Sequence, residues 1–100
     1  MIKFYDVFED GLATVSFNPS DAALKSLGYV DVFEMSEDLE DMIKANYPDM
    51  YFEDECQFEI EGERFMVHCA NEDVAEVVNE ELVYLIEHRE FQMSQVKEFE

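Results

Sequence analysis

The feature that most constrains this chain is a negative charge spread along its whole length. Asp and Glu number 26 against 6 Lys and Arg, which gives a formal net charge of −20 on 100 residues. The acids run from Asp6 to Glu100 and are interleaved with 9 Phe, 5 Tyr and 6 Met. Disorder requires low hydrophobicity as well as high charge, and 48% of these residues are hydrophobic. The sequence therefore predicts a folded domain with a strongly negative surface.

The length and the apolar segments limit the size and location of that domain. A chain of 100 residues is expected to form a single domain, residues 1–100, with one modest core. No segment approaches the roughly 18 apolar residues of a transmembrane helix. The start, Met1 to Asp6, lacks the apolar run of a secretion signal. We therefore expect a cytoplasmic protein that does not contact membranes, with Cys56 and Cys69 reduced and buried.

Two strands, residues 2–8 and 12–17, flank an Asp-Gly turn signal at residues 10–11. A shift of one residue in their register moves every side chain to the other face of the sheet. The sequence leaves two registers open: a two-residue turn pairs Phe4 with Phe17, and a three-residue turn pairs Tyr5 with Val15.

The next segment predicts two helices with a strand between them. Ala22 to Leu27 are expected to form a short helix, which Gly28 ends at its C′ position. Tyr29 to Met35 alternate loosely between apolar and polar residues and predict a strand. Ser36 is expected to cap the second helix, which ends before Pro48 because the residue preceding a proline avoids the helical region.

A second hairpin is predicted from alternating polar and apolar residues. One strand spans Phe52 to Ile60, a turn lies at Glu61-Gly62, and the next strand runs to Cys69. In the preferred register Cys56 and Cys69 are diagonal neighbours about 7–8 Å apart, too distant for a disulfide. The same register sets Phe58 opposite Phe65 and Glu55 opposite His68.

The last segment predicts a long helix followed by a strand. Asn71 caps the helix, and His88 and Arg89 end it, because cations stabilise a helix C-terminus. Glu90 to Phe99 are expected to form the final strand. Together these elements predict a small α+β domain, with a mostly antiparallel sheet of four to six strands and two to three helices packed on one face.

Residues that carry catalysis or bind metals are few and poorly placed for either role. His68 and Cys69 are adjacent on a strand, so their side chains point to opposite faces and cannot hold one ion together. The acid-rich stretch Asp49 to Glu59 lacks the central glycine of a calcium-binding loop. The chain has only 3 glycines and no glycine-rich phosphate loop. We therefore expect no enzyme activity, no metal and no cofactor.

Rows of carboxylates are the remaining candidates for function. Residues 31–63 hold 13 acids and one base, Lys44. Acids on one face of a strand or helix lie about 6–7 Å apart, close to the roughly 7 Å between successive phosphates of a DNA strand. Such rows attract cationic protein surfaces, above all those that bind nucleic acid. The candidates are the Glu53–Glu59 row on a strand (Glu53, Glu55, Glu59), the Glu72–Glu80 row on the long helix (Glu72, Asp73, Glu76, Glu80) and the Glu37–Asp41 group after Ser36 (Glu37, Asp38, Glu40, Asp41).

In size, charge and lack of catalytic residues, the chain resembles phage-encoded DNA-mimic proteins, including anti-restriction and anti-CRISPR proteins. The resemblance covers the composition of the whole chain and includes no family motif. It implies an inhibitor that occupies the basic nucleic-acid-binding surface of a CRISPR effector, a restriction enzyme or another DNA-binding protein. Such an inhibitor does not bind nucleic acid itself. Self-repulsion favours a monomer, with a dimer as the alternative if an apolar patch is exposed.

Two other functions fit the same composition. An immunity protein or antitoxin neutralises a basic nuclease toxin through the same charge complementarity. A halophilic or structural acidic protein has no dedicated cationic target. A toxin gene beside this one favours the immunity protein, and a phage early region favours the mimic.

Overall fold

The computed structural model describes the backbone of residues 2–98 and the side chains of residues 2–89. These residues form an α+β fold, as the sequence predicts, with a four-stranded antiparallel sheet in the order β1-β2-β4-β3. The elements are β1 Tyr5–Val7, β2 Ala13–Phe17, α1 Asp21–Leu27, α2 Val32–Asn46, α3 Pro48–Phe52, β3 Cys56–Glu61, β4 Arg64–Cys69 and α4 Glu72–Glu98.

The core lies between one face of the sheet and the helices α2 and α4. Both helices have apolar side chains at three- and four-residue intervals, which form a stripe toward the sheet. The opposite face of the sheet is uncovered and carries partly or fully exposed side chains such as Thr14 and His68. The largest of the fully buried side chains are Val15, Met35, Leu39, Ile43, Phe65, Val67, Val78 and Leu82.

The first hairpin adopts the three-residue alternative. Tyr5 pairs with Val15, and the Phe8 N–H donates to the Leu12 carbonyl oxygen at 2.8 Å. Gly11 closes the turn with a φ of 88°, a left-handed conformation that glycine adopts without steric cost. This register directs Val15 into the core and Thr14 toward the open face.

The register predicted for the second hairpin is wrong by two residues. Glu61 opposes Arg64, so the turn is Gly62-Glu63 and not Glu61-Gly62. Gly62 has a φ of 62°, and two-residue turns with a single positive φ place glycine first. Because the shift is two residues, each side chain keeps its predicted face, but its partner changes. The corrected pairs are Phe58 with Val67, Gln57 with His68 and Cys56 with Cys69.

The strand predicted for Tyr29 to Met35 is wrong, and so is the helix cap at Ser36. Asp31 caps α2, since its side chain accepts the Glu34 N–H at 2.9 Å. Ser36 is buried within this helix. The signal was present in the sequence, because an Asp followed three residues later by Glu is a capping pattern.

The strand predicted from Phe52 begins four residues later, at Cys56, because the preceding residues form α3. Pro48 ends α2 and is also the first residue of α3, a position where a missing N–H has no cost. After α3, the Asp54 N–H donates to the Tyr51 carbonyl oxygen and the Glu55 N–H to that of Met50. This is the Schellman closure, with Asp54 at a φ of 56° where glycine is usual.

The predicted end of the long helix at Arg89 is also wrong. Backbone residues 90–98 continue α4, so the predicted strand Glu90 to Phe99 does not form there, and Phe99 lies outside the described residues. The Arg89 side chain donates to the carbonyl oxygens of Leu27 and Gly28 at 3.0 and 3.3 Å. It therefore stabilises the C-terminus of α1, not that of its own helix.

One buried amide attaches the N-terminal segment to α4. Asn79 is 2% exposed, accepts the Phe4 N–H at 2.7 Å and donates to the Ile2 carbonyl oxygen at 2.9 Å. Both backbone groups precede β1, so this side chain satisfies them where no strand does.

Candidate functional site

The acidic side chains form the surface of the molecule. None of the Asp and Glu side chains between residues 2 and 89 is buried. Among these residues, Arg64 forms an ion pair with Glu61 at 3.5 Å, and His68 Nε2 lies 2.6 Å from Glu59 Oε2, a contact that is an ion pair only when the imidazole is protonated. Both pairs are exposed and are worth about 0–1 kcal/mol each. The negative charge is therefore largely uncompensated within the described part of the chain.

Four of the five Lys and Arg residues in this part of the chain contact other groups of the fold. The Arg89 guanidinium lies 4.4 Å from the centroid of the Tyr29 ring, in addition to its bonds with α1. Lys44 lies 5.8 Å from the Tyr51 ring centroid, and Lys3 lies 5.5 Å from that of Tyr5. These contacts place positive charge close to aromatic rings, and Lys3 also lines a groove together with Glu76 and Glu80 of the Glu72–Glu80 row.

The Glu72–Glu80 row is intact on the exposed face of α4. Asn71 caps this helix as predicted, accepting the Val74 N–H at 3.0 Å. Glu72 and Asp73 lie in the first turn, where carboxylates interact favourably with the helix dipole. All four acids of the row are exposed, and no hydrogen bond or ion pair within residues 2–89 involves them. Glu72, Glu76 and Glu80 rise by about 6 Å per step along the axis.

The same four-residue spacing continues from this row into an aromatic pair. Tyr84 and His88 stack with ring centroids 5.6 Å apart and an interplanar angle of 7°. Both are exposed, with Tyr84 at 59%. The pair is not among the residues predicted from the sequence, although positions 84 and 88 extend the series 72, 76 and 80.

The Glu37–Asp41 group lies in the middle of α2 and not in a first turn, because the helix begins at Val32. Its members have different surroundings. Asp38 is half-buried and accepts the Tyr29 hydroxyl at 2.7 Å. The nearby Glu40 carboxylate is the main cause that raises the pKa of Tyr51. Only Glu37 and Asp41 are fully exposed.

The Glu53–Glu59 row does not exist as a row. Glu53 follows α3, Glu55 precedes β3, and Glu59 alone lies on the strand. The Glu59 carboxylate bonds to His68 Nε2, and Thr14 Oγ1 lies 3.3 Å from His68 Nδ1. The sequence placed Glu55 opposite His68, but the corrected register puts Gln57 opposite it, and Glu59, which pairs with Met66, reaches His68 diagonally. The Thr14, His68 and Glu59 side chains thus join three strands across the open face.

Comparisons with protein-family models, curated proteins and solved structures give no match for this chain. Within the described residues, no helix combines the length and the apolar character needed to cross a bilayer. In the same part of the chain, no three His, Cys, Asp or Glu side chains are grouped to hold a metal ion. The Glu72–Glu80 row with its adjoining aromatic pair is therefore the candidate site.

Proposed function

We propose that this protein is an acidic inhibitor that mimics DNA. It occupies the positively charged nucleic-acid-binding surface of a host defence protein, a CRISPR effector or restriction enzyme, or of another DNA-binding protein. The observation that carries the proposal is the Glu72–Glu80 row, which is exposed along one helix and makes no hydrogen bond or ion pair with residues 2–89. Carboxylates that already bond within the fold bind a partner less favourably, because an existing interaction must be broken before the new one forms.

The spacing of the row supports contact with a groove built for a nucleic-acid backbone. From Glu72 to Glu80 the helix rises about 12 Å, with a carboxylate at about every 6 Å. Lys and Arg side chains that track phosphates roughly 7 Å apart can meet these carboxylates with small adjustments. Complementary charge of this kind raises the association rate and excludes partners without a basic groove.

The aromatic pair supports a specific contact at the end of the row. An exposed Tyr84 ring stacked on His88 offers a flat surface to an arginine guanidinium. Arginine and aromatic residues dominate the energy of many protein interfaces, while rim charges contribute less each. In this proposal the carboxylates provide attraction, and Tyr84 and His88 provide discrimination among basic proteins.

The proposal includes the cellular setting and the state of the protein. It acts in the cytoplasm as a monomer, because like charges oppose self-association. It does not bind nucleic acid, since its described cations are dispersed and all but Lys25 are engaged with aromatic rings, backbone oxygens or a carboxylate. It performs no catalysis and uses no cofactor.

The test is affinity capture from bacterial lysate at low salt, followed by competition with duplex DNA. We expect a DNA-binding protein that elutes as NaCl rises and that releases labelled DNA when this chain is added. Captured protein that binds DNA and this chain simultaneously would contradict the mimic. A basic nuclease toxin as the captured protein would instead support the immunity-protein alternative.

A further inference from the structure

A pair of free cysteines occupies facing positions on neighbouring strands. Cys56 on β3 pairs with Cys69 on β4, and neither forms a disulfide. The two side chains share the inner face of the sheet, at 5% and 3% exposure. This pairing follows from the corrected register and does not depend on the proposed function.

The hydrogen-bond pattern of the ladder defines the separation of these cysteines. The Ala70 N–H donates to the Glu55 carbonyl oxygen at 2.8 Å, which makes the neighbouring pair 55–70 a hydrogen-bonded one. Bonded and non-bonded pairs alternate along antiparallel strands, so Cys56 and Cys69 form a non-hydrogen-bonded pair. Such residues have Cα atoms about 4.5 Å apart, within the range of about 4.4–6.8 Å that disulfides span.

Both cysteines lie near one end of the sheet, where a cavity reaches Cys69. A cavity of about 530 Å³ is lined by Cys69 together with Phe8 and Leu12 of the first hairpin. Cys56 is the first residue of the edge strand β3 and lies two residues after the turn at Asp54. Edge strands and their termini open more readily than central strands, so a small reagent can reach both thiols through local motion.

The protonation state of the thiols sets the rate of reaction. Burial raises the pKa of Cys56, and it raises the pKa of Cys69 to about 12. Because the thiolate is the nucleophile, both groups react slowly at neutral pH and faster as the pH rises. The separation of the two Cα atoms favours a disulfide, while burial slows its formation because it keeps the thiols protonated.

We propose that Cys56 and Cys69 form an oxidation site that closes into an intramolecular cross-strand disulfide with a two-electron thiol oxidant. With a diazenedicarboxamide such as diamide, one thiolate adds to the N=N bond, and the second thiol attacks that sulfur. Two S–H bonds break and one S–S bond forms. The two protons and two electrons pass to the reagent, which leaves as the hydrazine. The new bond ties the edge strand to β4 and closes a loop of about 14 residues.

The test is diamide treatment of the folded protein at pH 8.5, followed by removal of the reagent. We expect the thiol count in denaturant to fall from two to none, the mass to fall by about 2 Da, and the protein to stay monomeric. Peptide mapping should join Cys56 to Cys69, and the melting temperature should rise. Cys56→Ser is the control and should keep its one remaining thiol or form only adducts and dimers. Wild-type protein that retains both thiols, or that forms only intermolecular disulfides, overturns the proposal, and this result requires no variant to fold.

Discussion

The two long helices are both acidic and pack on the same core, yet they use their carboxylates differently. On α2, Asp38 accepts a hydrogen bond from the Tyr29 hydroxyl. Glu34 Oε2 accepts one from the Val30 N–H, with 3.4 Å between the nitrogen and the oxygen. Ahead of the helix, Asp31 supplies the cap. On α4, the Glu72–Glu80 row makes no such bond within the described residues. A high density of acids therefore does not by itself define a binding surface, because some of them stabilise the fold.

The buried polar side chain of α4 provides the largest expected effect on stability. Asn79→Ala leaves the Phe4 N–H and the Ile2 carbonyl without their partner, and we expect a loss of about 2–3 kcal/mol in the free energy of unfolding. Urea denaturation measures it. Glu80→Ala, at the next residue but exposed, is the control and should change stability by less than about 0.5 kcal/mol. Similar losses in both variants would contradict the distinction between the face of α4 that stabilises the fold and the exposed face that does not.

A carboxylate of α2 should matter more for stability than one of α4. Asp38→Ala removes the acceptor of the Tyr29 hydroxyl, which is partly buried, and should cost about 1–2 kcal/mol. In a Tyr29→Phe background the same change should cost much less, because the hydroxyl is already absent. The measurement is a double-mutant cycle by urea denaturation. A coupling energy near zero would show that Asp38 does not stabilise the fold through Tyr29 and is in this respect like the exposed Glu80.

Alkaline pH should weaken the hydrogen bond between Tyr29 and Asp38 of α2. Burial and the hydrogen bond to Asp38 raise the pKa of Tyr29 above its usual value near 10. A raised pKa gives stability that is complete below the unfolded value and is lost as the pH climbs above it. We expect the free energy of unfolding to fall from about pH 9 upward, because Cys69 contributes between about 9 and 12 in the same direction. Tyr29→Phe should keep only the part due to Cys69, Cys56 and Tyr51, whose pKa values are also raised, and an unchanged alkaline loss in this variant would rule out the Tyr29 contribution.

Salt should have the smallest effect, and it reports on the free carboxylates. The Debye length falls from ~30 Å at 0.01 M to ~8 Å at 0.15 M, which screens repulsion among uncompensated charges. We expect the melting temperature to rise by about 5 °C across that range of NaCl. The triple change Glu72→Gln, Glu76→Gln and Glu80→Gln should reduce the rise. A melting temperature of the wild-type protein that does not change with NaCl concentration would indicate that its acids are locally compensated.

The sequence predicted the core faces better than the element boundaries. Period-two and period-four spacing identified Val67 and Leu82 as core residues, because burial in one layer imposes that spacing whatever the ends of an element are. The boundary errors came from residues with two roles. Pro48 was interpreted only as the end of α2, although it also begins α3, and Arg89 was assigned to the end of α4 although it stabilises α1. Local sequence indicates that a cation stabilises a helix terminus, but tertiary contact decides which helix.

The candidate carboxylate rows were predicted with unequal success, again because tertiary contacts cannot be inferred from local sequence. The Glu72–Glu80 row was correctly placed on a helix, since it depends only on a sustained helical period and the cap at Asn71. The Glu53–Glu59 row was misplaced, because one short helix and its closure at Asp54 remove Glu53 and Glu55 from the strand. No pattern in the sequence distinguishes an acid that accepts a tyrosine hydroxyl, as Asp38 does, from one that remains free.

Displacement of duplex DNA from the captured basic protein tests the central claim most directly. Three forms of this chain would be titrated at fixed salt after circular dichroism and melting confirm their fold: the wild type, a reversal of Glu72, Glu76 and Glu80 to Lys, and a reversal of Glu37, Glu40 and Asp41 to Lys. Each reversal removes three attractions and adds three repulsions, so the two variants are matched in charge. We expect the first reversal to need at least ~100-fold more protein for half displacement, and the second less than ~5-fold more. Equal shifts for both reversals, or a wild type that displaces no DNA, would contradict the account.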